Sequence, residues 1–425
     1  MQKTIFRKNA LRLLPFLFIL YIFNFLDRVN FGYAALEMNQ SLSITPQMFG
    51  LLSGIFFAGY LILEIPSNII LHKVGARKWM ARIVVSWGIV SVFCGFADSA
   101  NHLLILRFLL GIAEAGFFPG IILYLTFWFR REEMATIISL FMAAIAVSNI
   151  IGAPISTAIM QNIKFFHMEG WRWLFILEGL PSIILGVITF FYLPDRPEQA
   201  SWLTNEEKKT LVESIRAEKP VLENSEGHNF RIILTSSIFL RFALIYFTFA
   251  VGLYSITFWL PQIIKKLSHT QGYMATGWIA MGVYILSGIG MIVFGYIADR
   301  TNKRKCLAIA SFLLAGLFLF LSTIFFGDTG DLILIALAMV FVLSIVGPLW
   351  GYMTTFVKER QAAIGIAFVN SVGNIGGFAG PLMIGFLMNS FSSSIEISWI
   401  FVSIILVIGG IVLGTIHSGR SPNAS

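Results

Sequence analysis

The chain has 425 residues, of which 57% are hydrophobic and only 12% charged, with 41 Phe among them. An ordinary soluble domain carries roughly twice that share of charge, and the apolar total suffices for about twelve bilayer crossings of about 20 residues each. This composition excludes a soluble globular domain, a disordered chain and a disulfide scaffold, and describes a polytopic membrane protein. The net charge of +8 does not call for nucleic acid, because membrane proteins collect basic residues in their cytoplasmic loops.

In chain order, apolar runs predict spans over 13–36, 48–71, 79–97, 102–128, 135–160 and 172–193 in the first half. The second half supplies 232–260, 273–297, 306–326, 332–356, 362–389 and 396–416. Lys3, Arg7, Lys8 and Arg12 precede the first run, which is too long for a signal peptide and contains Asp27 and Arg28; it reads as a retained helix. The longest interruption, Pro194–Asn229, holds eight acidic and five basic residues, and its Thr204-Asn205-Glu206-Glu207 predicts a capped surface helix. This seam gives an N-terminal six-helix bundle over 1–193, a cytoplasmic central loop over 194–229 and a C-terminal six-helix bundle over 230–425. The expected fold is therefore all-α, with twelve transmembrane helices in two pseudo-symmetric bundles.

Topology follows from a charge count. With the N-terminus inside, the cytoplasmic segments hold 23 Lys and Arg, while the outer loops hold only Lys164, Arg172, Lys265 and Lys266. The remaining three, Arg28, Arg107 and Arg241, lie within spans. That bias puts both termini in the cytoplasm. An internal echo joins the halves: Gly295–Lys305 after span 8 and Asn68–Lys78 after span 2 each tie a helix end to a basic turn.

Four ionic residues lie where a bilayer is most hostile to charge. Asp27 is 14 residues into span 1 and Glu114 is 14 residues from the inner end of span 4. At about 1.5 Å per residue, both sit about 21 Å above the inner boundary. Arg107 precedes Glu114 by two turns, so both project from one face. Unpaired, such groups cost several kcal/mol, and intramembrane ionic residues are functional by default. A guanidinium in a dry cavity recognises a carboxylate through bidentate, charge-assisted hydrogen bonds. An acid beside it takes up a proton when a substrate anion claims the guanidinium, so anion and proton binding become linked. Glu64 and Glu178, each near a proline (Pro66, Pro181), read equally as kink partners or as functional acids.

Neutral polar groups in other spans complete a candidate cavity: Tyr60, Tyr124, Ser148 and Asn149 in the first half, and Trp350, Asn370, Ser371 and Asn374 in the second. Gly373-Asn-Ile-Gly-Gly377 reads first as close helix packing. Six scattered His and two Cys, Cys94 and Cys306, form no metal-ligand pattern, and no catalytic elbow or P-loop occurs. The chain reads as no enzyme, and a non-transporting receptor would have no need of two titratable acids. No cofactor and no metal is expected beyond the proton as coupling ion, and the partners are a small organic anion and the lipid bilayer. The protein is expected to act as a monomer.

These residues also carry a resemblance. The segments Phe25-Leu-Asp27-Arg28-Val-Asn30, Leu106-Arg107 through Glu114-Ala-Gly116 to Pro119-Gly120, Gly170-Trp-Arg-Trp through Glu178-Gly179, and Tyr192-Leu-Pro-Asp195-Arg-Pro197 resemble transporters of the major facilitator superfamily, in its anion:cation symporter group. The resemblance implies twelve helices, alternating access and proton-coupled uptake of carboxylates such as tartrate, phthalate, nicotinate or hydroxyphenylacetate across a bacterial inner membrane. It implies that Asp27 and Glu114 are protonatable, that Arg28 binds the substrate carboxylate, and that Arg107 pairs with the acids. Tyr60, Trp350 and Asn370 match positions lining the family's cavity. The first inner-loop motif departs from the family by carrying His72 and Lys73, with Arg77 following, whereas the second keeps Asp299 and Arg300; these are the candidate gating residues. Span 5 offers Ala144-Ile145-Ala146 where sugar-acid carriers can offer glutamine, which favours a less hydroxylated carboxylate. Exchange of one anion for another, or export, is the alternative on the same fold.

Overall fold

The structure, a computed structural model, describes residues 2–218, 236–269, 272–324, 327–356, 362–391 and 395–416. Residues 219–229 of the central segment, the first residues of the predicted span 232–260, and Lys219, Arg231, Lys358, Arg360 and Arg420 of the charge count, lie outside the described residues. Helices α1 (Gln2–Ser41), α2 (Pro46–Val74), α3 (Ala76–Cys94), α4 (Ala100–Glu114), α5 (Phe117–Leu125), α6 (Arg131–Asn162) and α7 (Gly170–Tyr192) build six spans, with α4 and α5 as halves of one. Helix α8 (Asn205–Glu218) follows. Helices α9 (Ser237–Ser268), α10 (Met274–Thr301), α11 (Arg304–Leu321), α12 (Asp328–Ser344), α13 (Val346–Met353), α14 (Ala362–Ser390) and α15 (Ile395–Gly414) build six more, α12 and α13 sharing one. Among the described residues, eleven spans are long and apolar enough to cross a bilayer. The twelfth, α3, carries Arg77, Lys78 and Arg82 in its first two turns. Its helix is nevertheless intact, with Met80, Val84 and Trp87 buried along it.

The chain forms two compact units, Met1–Ser43 with Ile55–Asn224 and Ile44–Gly54 with Ser225–Ser425. The predicted first bundle thus lacks Ile44–Gly54, and the described part of the central segment, through Glu218, goes with it. In the first unit α3 packs on α7 and α4, and α1 packs on α6 and α7. In the second unit α11 packs on α15 and α12, and α9 packs on α14 and α15. The pairing of spans is the same in both, as the internal echo predicts. Large apolar side chains such as Ile62, Phe191 and Ile292 remain exposed, as expected of a surface whose solvent is lipid. In the second unit, Gly373, Gly376 and Gly380 face α9: a Cβ on Gly376 would lie 2.5 Å from the Phe247 carbonyl and one on Gly380 2.7 Å from Ser255 Oγ. The glycine-rich run is therefore a packing surface.

Two elements differ from the sequence reading. Span 4 is not continuous: α4 stops at Glu114, Ala115 turns extended, and Gly116 adopts φ +85° before α5 begins. A glycine is needed there both for the left-handed backbone and because Ser67 of α2 occupies the space of a Cβ. Helix α1 starts at Gln2, eleven residues before the apolar run, because its amphipathic extension has something to dock on. Asn9 is fully buried; its Nδ2 donates to the Trp128 carbonyl at 3.1 Å and its Oδ1 accepts from Trp202 Nε1 at 2.9 Å. Arg12 lies over the Tyr192 ring at 4.7 Å.

The predicted capping box forms: Glu207 N–H donates to Thr204 Oγ1 at 3.2 Å, and Thr204 N–H donates to Glu207 Oε2 at 2.9 Å. Lys8 Nζ donates to the same carboxylate at 2.7 Å, clamping α8 to α1. The Lys8 hydrogen bond, with that of the Thr204 amide, holds the Glu207 carboxyl below the usual Glu range. A depressed carboxylate stabilises above its unfolded value and loses that contribution as pH falls through the lowered one. Trypsin cleavage at Lys208 and Lys209 should therefore be slow at neutral pH. Glu207→Gln should raise it at neutral pH, and unchanged cleavage would show that the clamp does not hold α8.

Candidate functional site

The site begins on one stretch of α1. Asn24, Asp27 and Asn30 are fully buried, and Arg28 lies between them with its side chain 11% exposed. Arg28 Nε donates to Glu114 Oε1 at 2.6 Å, and Nη2 pairs with the same oxygen. Glu114 is completely buried at the C-terminal end of α4. Asp27 accepts from Ser91 of α3 and, at 3.4 Å, from Asn30 Nδ2. It lies within electrostatic reach of Arg107 and Glu114. The four predicted ionic side chains thus form one cluster inside the first unit, with both cations and both acids contributed by α1 and α4.

What holds two guanidiniums side by side is aromatic. Phe56 of α2 sits between them, its ring centre 5.3 Å from the Arg28 guanidinium carbon and 5.3 Å from that of Arg107. Tyr60, one turn on, faces Arg28 at 5.1 Å, and Phe31 of α1 faces Arg107 at 4.3 Å. Cation–π contacts of this kind stabilise by about 2 kcal/mol or more when desolvated. They also stabilise positive charge without consuming guanidinium hydrogens. Helices α2 and α4 come close enough for this because Gly59 lies on the Phe108 carbonyl and Gly111 on the Phe56 carbonyl. Phe56 and Phe31 are invisible to sequence reasoning in a chain with 41 Phe. The i, i+4 spacing of Phe56 with Tyr60 is the one signal that marks Phe56.

The remaining predicted residues divide. Tyr60 belongs to the cluster, buried with its ring against Arg28. Asn149 is buried on α6, and its Nδ2 is spent on the Ile145 carbonyl of its own helix at 2.8 Å. Tyr124, a predicted binding residue, is instead engaged elsewhere: it is fully buried on α5 and donates to the Pro194 carbonyl at 2.9 Å. Its hydroxyl closes the end of α7 rather than facing the ionic cluster. Lys73 is exposed at the end of α2. Arg77 meets an acid that sequence reasoning assigned no role: Asp195 Oδ1 accepts the Arg77 N–H at 2.8 Å, and Oδ2 lies 3.7 Å from Nε. Asp195 caps the positive start of α3, a place for an acid in the loop whose own motif carries His72 and Lys73.

In the second unit, Asp299 accepts from Arg304 Nη2 at 2.8 Å, and Arg304 Nη1 donates to the Gly351 carbonyl at 3.2 Å. Arg300 lies over the Tyr296 ring at 5.0 Å. Trp350 is half-buried on α13, edge-on to Tyr246 at 5.1 Å. Asn370 is half-buried and Asn374 buried on α14, flanking the Gly373 that receives the Tyr246 ring.

The Gly111 contact can be tested directly. Gly111→Ala should destabilise by roughly 1–3 kcal/mol through overpacking against α2, seen as a lower thermal midpoint in detergent. Gly282→Ala, whose Cβ would meet open space, should be neutral or slightly stabilising. Equal midpoints for the two variants would show that the α2–α4 approach is not tight.

Comparison with known proteins agrees with this arrangement. The sequence profile of the Major Facilitator Superfamily matches residues 17–381. An Agrobacterium vitis protein that bears the name of a tartrate transporter is 41% identical over 412 residues, covering 97% of this chain and 94% of that protein. An Acinetobacter baumannii protein named as a quinolone resistance transporter is 31% identical over 98% of this chain and 96% of its own. Among solved structures, a bacterial homolog of the human lysosomal transporter Spinster superposes with a TM-score of 0.77 at 17% identity, covering 94% of this chain and 95% of that one. The chain is a multi-pass membrane transporter, not an enzyme, and belongs to the Major Facilitator Superfamily.

Proposed function

We propose that this transporter carries a small organic anion, a mono- or dicarboxylate, into the cell together with protons by alternating access. The observation that carries the reading is the buried Arg28–Glu114 ion pair with Asp27 beside it. An ion pair in a low-dielectric interior is a poor source of stability but a responsive one. A substrate carboxylate competes with Glu114 for the planar fork of Arg28, and Glu114, losing its counter-charge, binds a proton. Arg107, held over Phe31, keeps the site electropositive while this exchange occurs. The name of the Agrobacterium vitis relative supports a carboxylate as cargo. The bias of 23 basic residues to 4 supports a cytoplasmic location for both termini, in a bacterial inner membrane.

A second reading, export, is favoured by the name of the Acinetobacter baumannii relative, and anion exchange would use the same arginines without net proton movement. Proteoliposomes separate the three. Symport predicts accumulation under an inward proton gradient and substrate-driven alkalinisation outside. Exchange predicts uptake that requires internal anion and ignores the gradient. Export predicts that an outward substrate flux, not accumulation, follows the gradient.

Asp27→Asn and Glu114→Gln should each abolish gradient-driven accumulation while sparing counterflow, and accumulation at the wild-type level would remove that residue from proton coupling. Arg28→Lys should weaken carboxylate binding roughly tenfold or more, since a charge-assisted hydrogen bond contributes about 1.5–3 kcal/mol and an ammonium cannot reproduce the fork. Unchanged affinity by calorimetry would place the anion elsewhere.

A further inference from the structure

A third buried acid lies close to the cluster and takes no part in the ion pair. Glu178 of α7 is 3% exposed, and its Oε1 accepts from Ser156 Oγ of α6 at 2.9 Å. No basic side chain pairs with it among the described residues; the charge that acts on it is the Asp27 carboxyl. Asn30 stands between the two acids. Its Nδ2 donates to Asp27 Oδ1 at 3.4 Å, and the same side chain lies within electrostatic reach of the Glu178 carboxyl. This is a different environment from that of Glu114, which is neutralised by Arg28.

Donors and acceptors do not balance in this network. Asp27 Oδ2, Glu178 Oε2 and Asn30 Oδ1 are all buried, and none has a hydrogen-bond donor among the described residues. Buried acceptors without donors carry a desolvation cost, and two neighbouring ionised carboxylates repel each other strongly in a low dielectric. One proton resolves both problems at once. On either carboxyl it turns an acceptor into an O–H donor, which lessens the shortage of donors, and it leaves a single negative charge. That charge is best kept on Asp27, which Arg107 reaches and which Ser91 supports. The other charged or titratable groups near the pair are Glu114, which acts on Asp27, and the Cys94 thiol of α3, which lies between Asp27 and Arg107.

We propose that Asp27 and Glu178 share one proton across Asn30, so that Glu178 is the positioning residue that keeps a proton on the pair in the coupling cycle. The inference rests on Asp27 acting as a proton carrier. The pair titrates as a unit, so its midpoints belong to neither residue alone. Removing the acidity of Glu178 removes the like-charge penalty that keeps a proton on the pair at higher pH. Glu178 therefore sets the pH at which coupling fails without touching the transported anion.

The test uses Glu178→Gln, which keeps the shape and hydrogen bonds, and Glu178→Ala, which does not. In proteoliposomes Glu178→Gln should retain the wild-type KM for the anion at acidic pH, while the alkaline limb of proton-driven uptake moves toward acid by about one pH unit, tenfold in proton concentration. Glu178→Ala should lose transport more severely. Infrared titration of the purified full-length protein gives a readout independent of transport. The wild type should show a protonated-carboxyl C=O band at neutral pH that Glu178→Gln alters and Asp27→Asn shifts in its pH dependence. A pH profile for Glu178→Gln that superimposes on wild type, or a carboxyl band that neither variant changes, overturns the shared proton. Uptake by the wild type that ignores pH contradicts proton coupling itself, and the infrared titration then still decides whether the proton is shared.

Discussion

Everything in the first unit is arranged around the cost of keeping ionic groups out of water. Arg28, Arg107, Asp27 and Glu114 are tolerable inside a bilayer only because each meets an opposite charge, an aromatic face or a polar side chain. The helices obey that requirement. Helix α4 stops at Glu114, Gly111 lets α2 approach, and Phe56 enters between two cations that would otherwise repel. On the proposed reading, adding an anion to Arg28 changes which acid needs a proton, and linkage makes the converse equally true.

The rest of the unit supplies rigidity to that site. Ends of spans are tied by side chains that cap the next helix: Asp195 at the start of α3, Glu37 accepting the Trp171 N–H of α7 at 2.9 Å, and Arg172 donating to the Ala97 carbonyl at 2.6 Å. On the side where α1 begins, Asn9, Trp128 and Trp202 link the first helix, the end of span 4 and the segment after α7. Such contacts tie the ends of the helices that carry the site to one another.

Much of this was legible beforehand. Charges in apolar runs announce themselves, so the four ionic residues, and the common depth of Asp27 and Glu114, followed from position alone, and Thr204–Glu207 marked its helix by hydrogen-bonding chemistry that is local. What escaped was whatever depends on tertiary neighbours. Gly116 sits in an unbroken apolar run, and only the crowding by Ser67 shows why the helix must break there. Phe56 looks like any other phenylalanine until two arginines are placed beside it. Tyr124 carries a hydroxyl suited to a ligand, yet the nearest acceptor in the fold is the backbone of Pro194. Glu178 read equally as kink partner or functional group, because the residue that connects it to Asp27 lies on another helix.

The central claim is that an anion displaces Glu114 from Arg28 and brings a proton with it. The most direct measurement is the proton uptake of purified protein in weakly buffered detergent when a binding carboxylate is added. The account predicts net uptake of protons in step with saturation of the site, absent in Glu114→Gln with Asp27→Asn. Saturable binding that leaves the proton balance unchanged at every pH would contradict it.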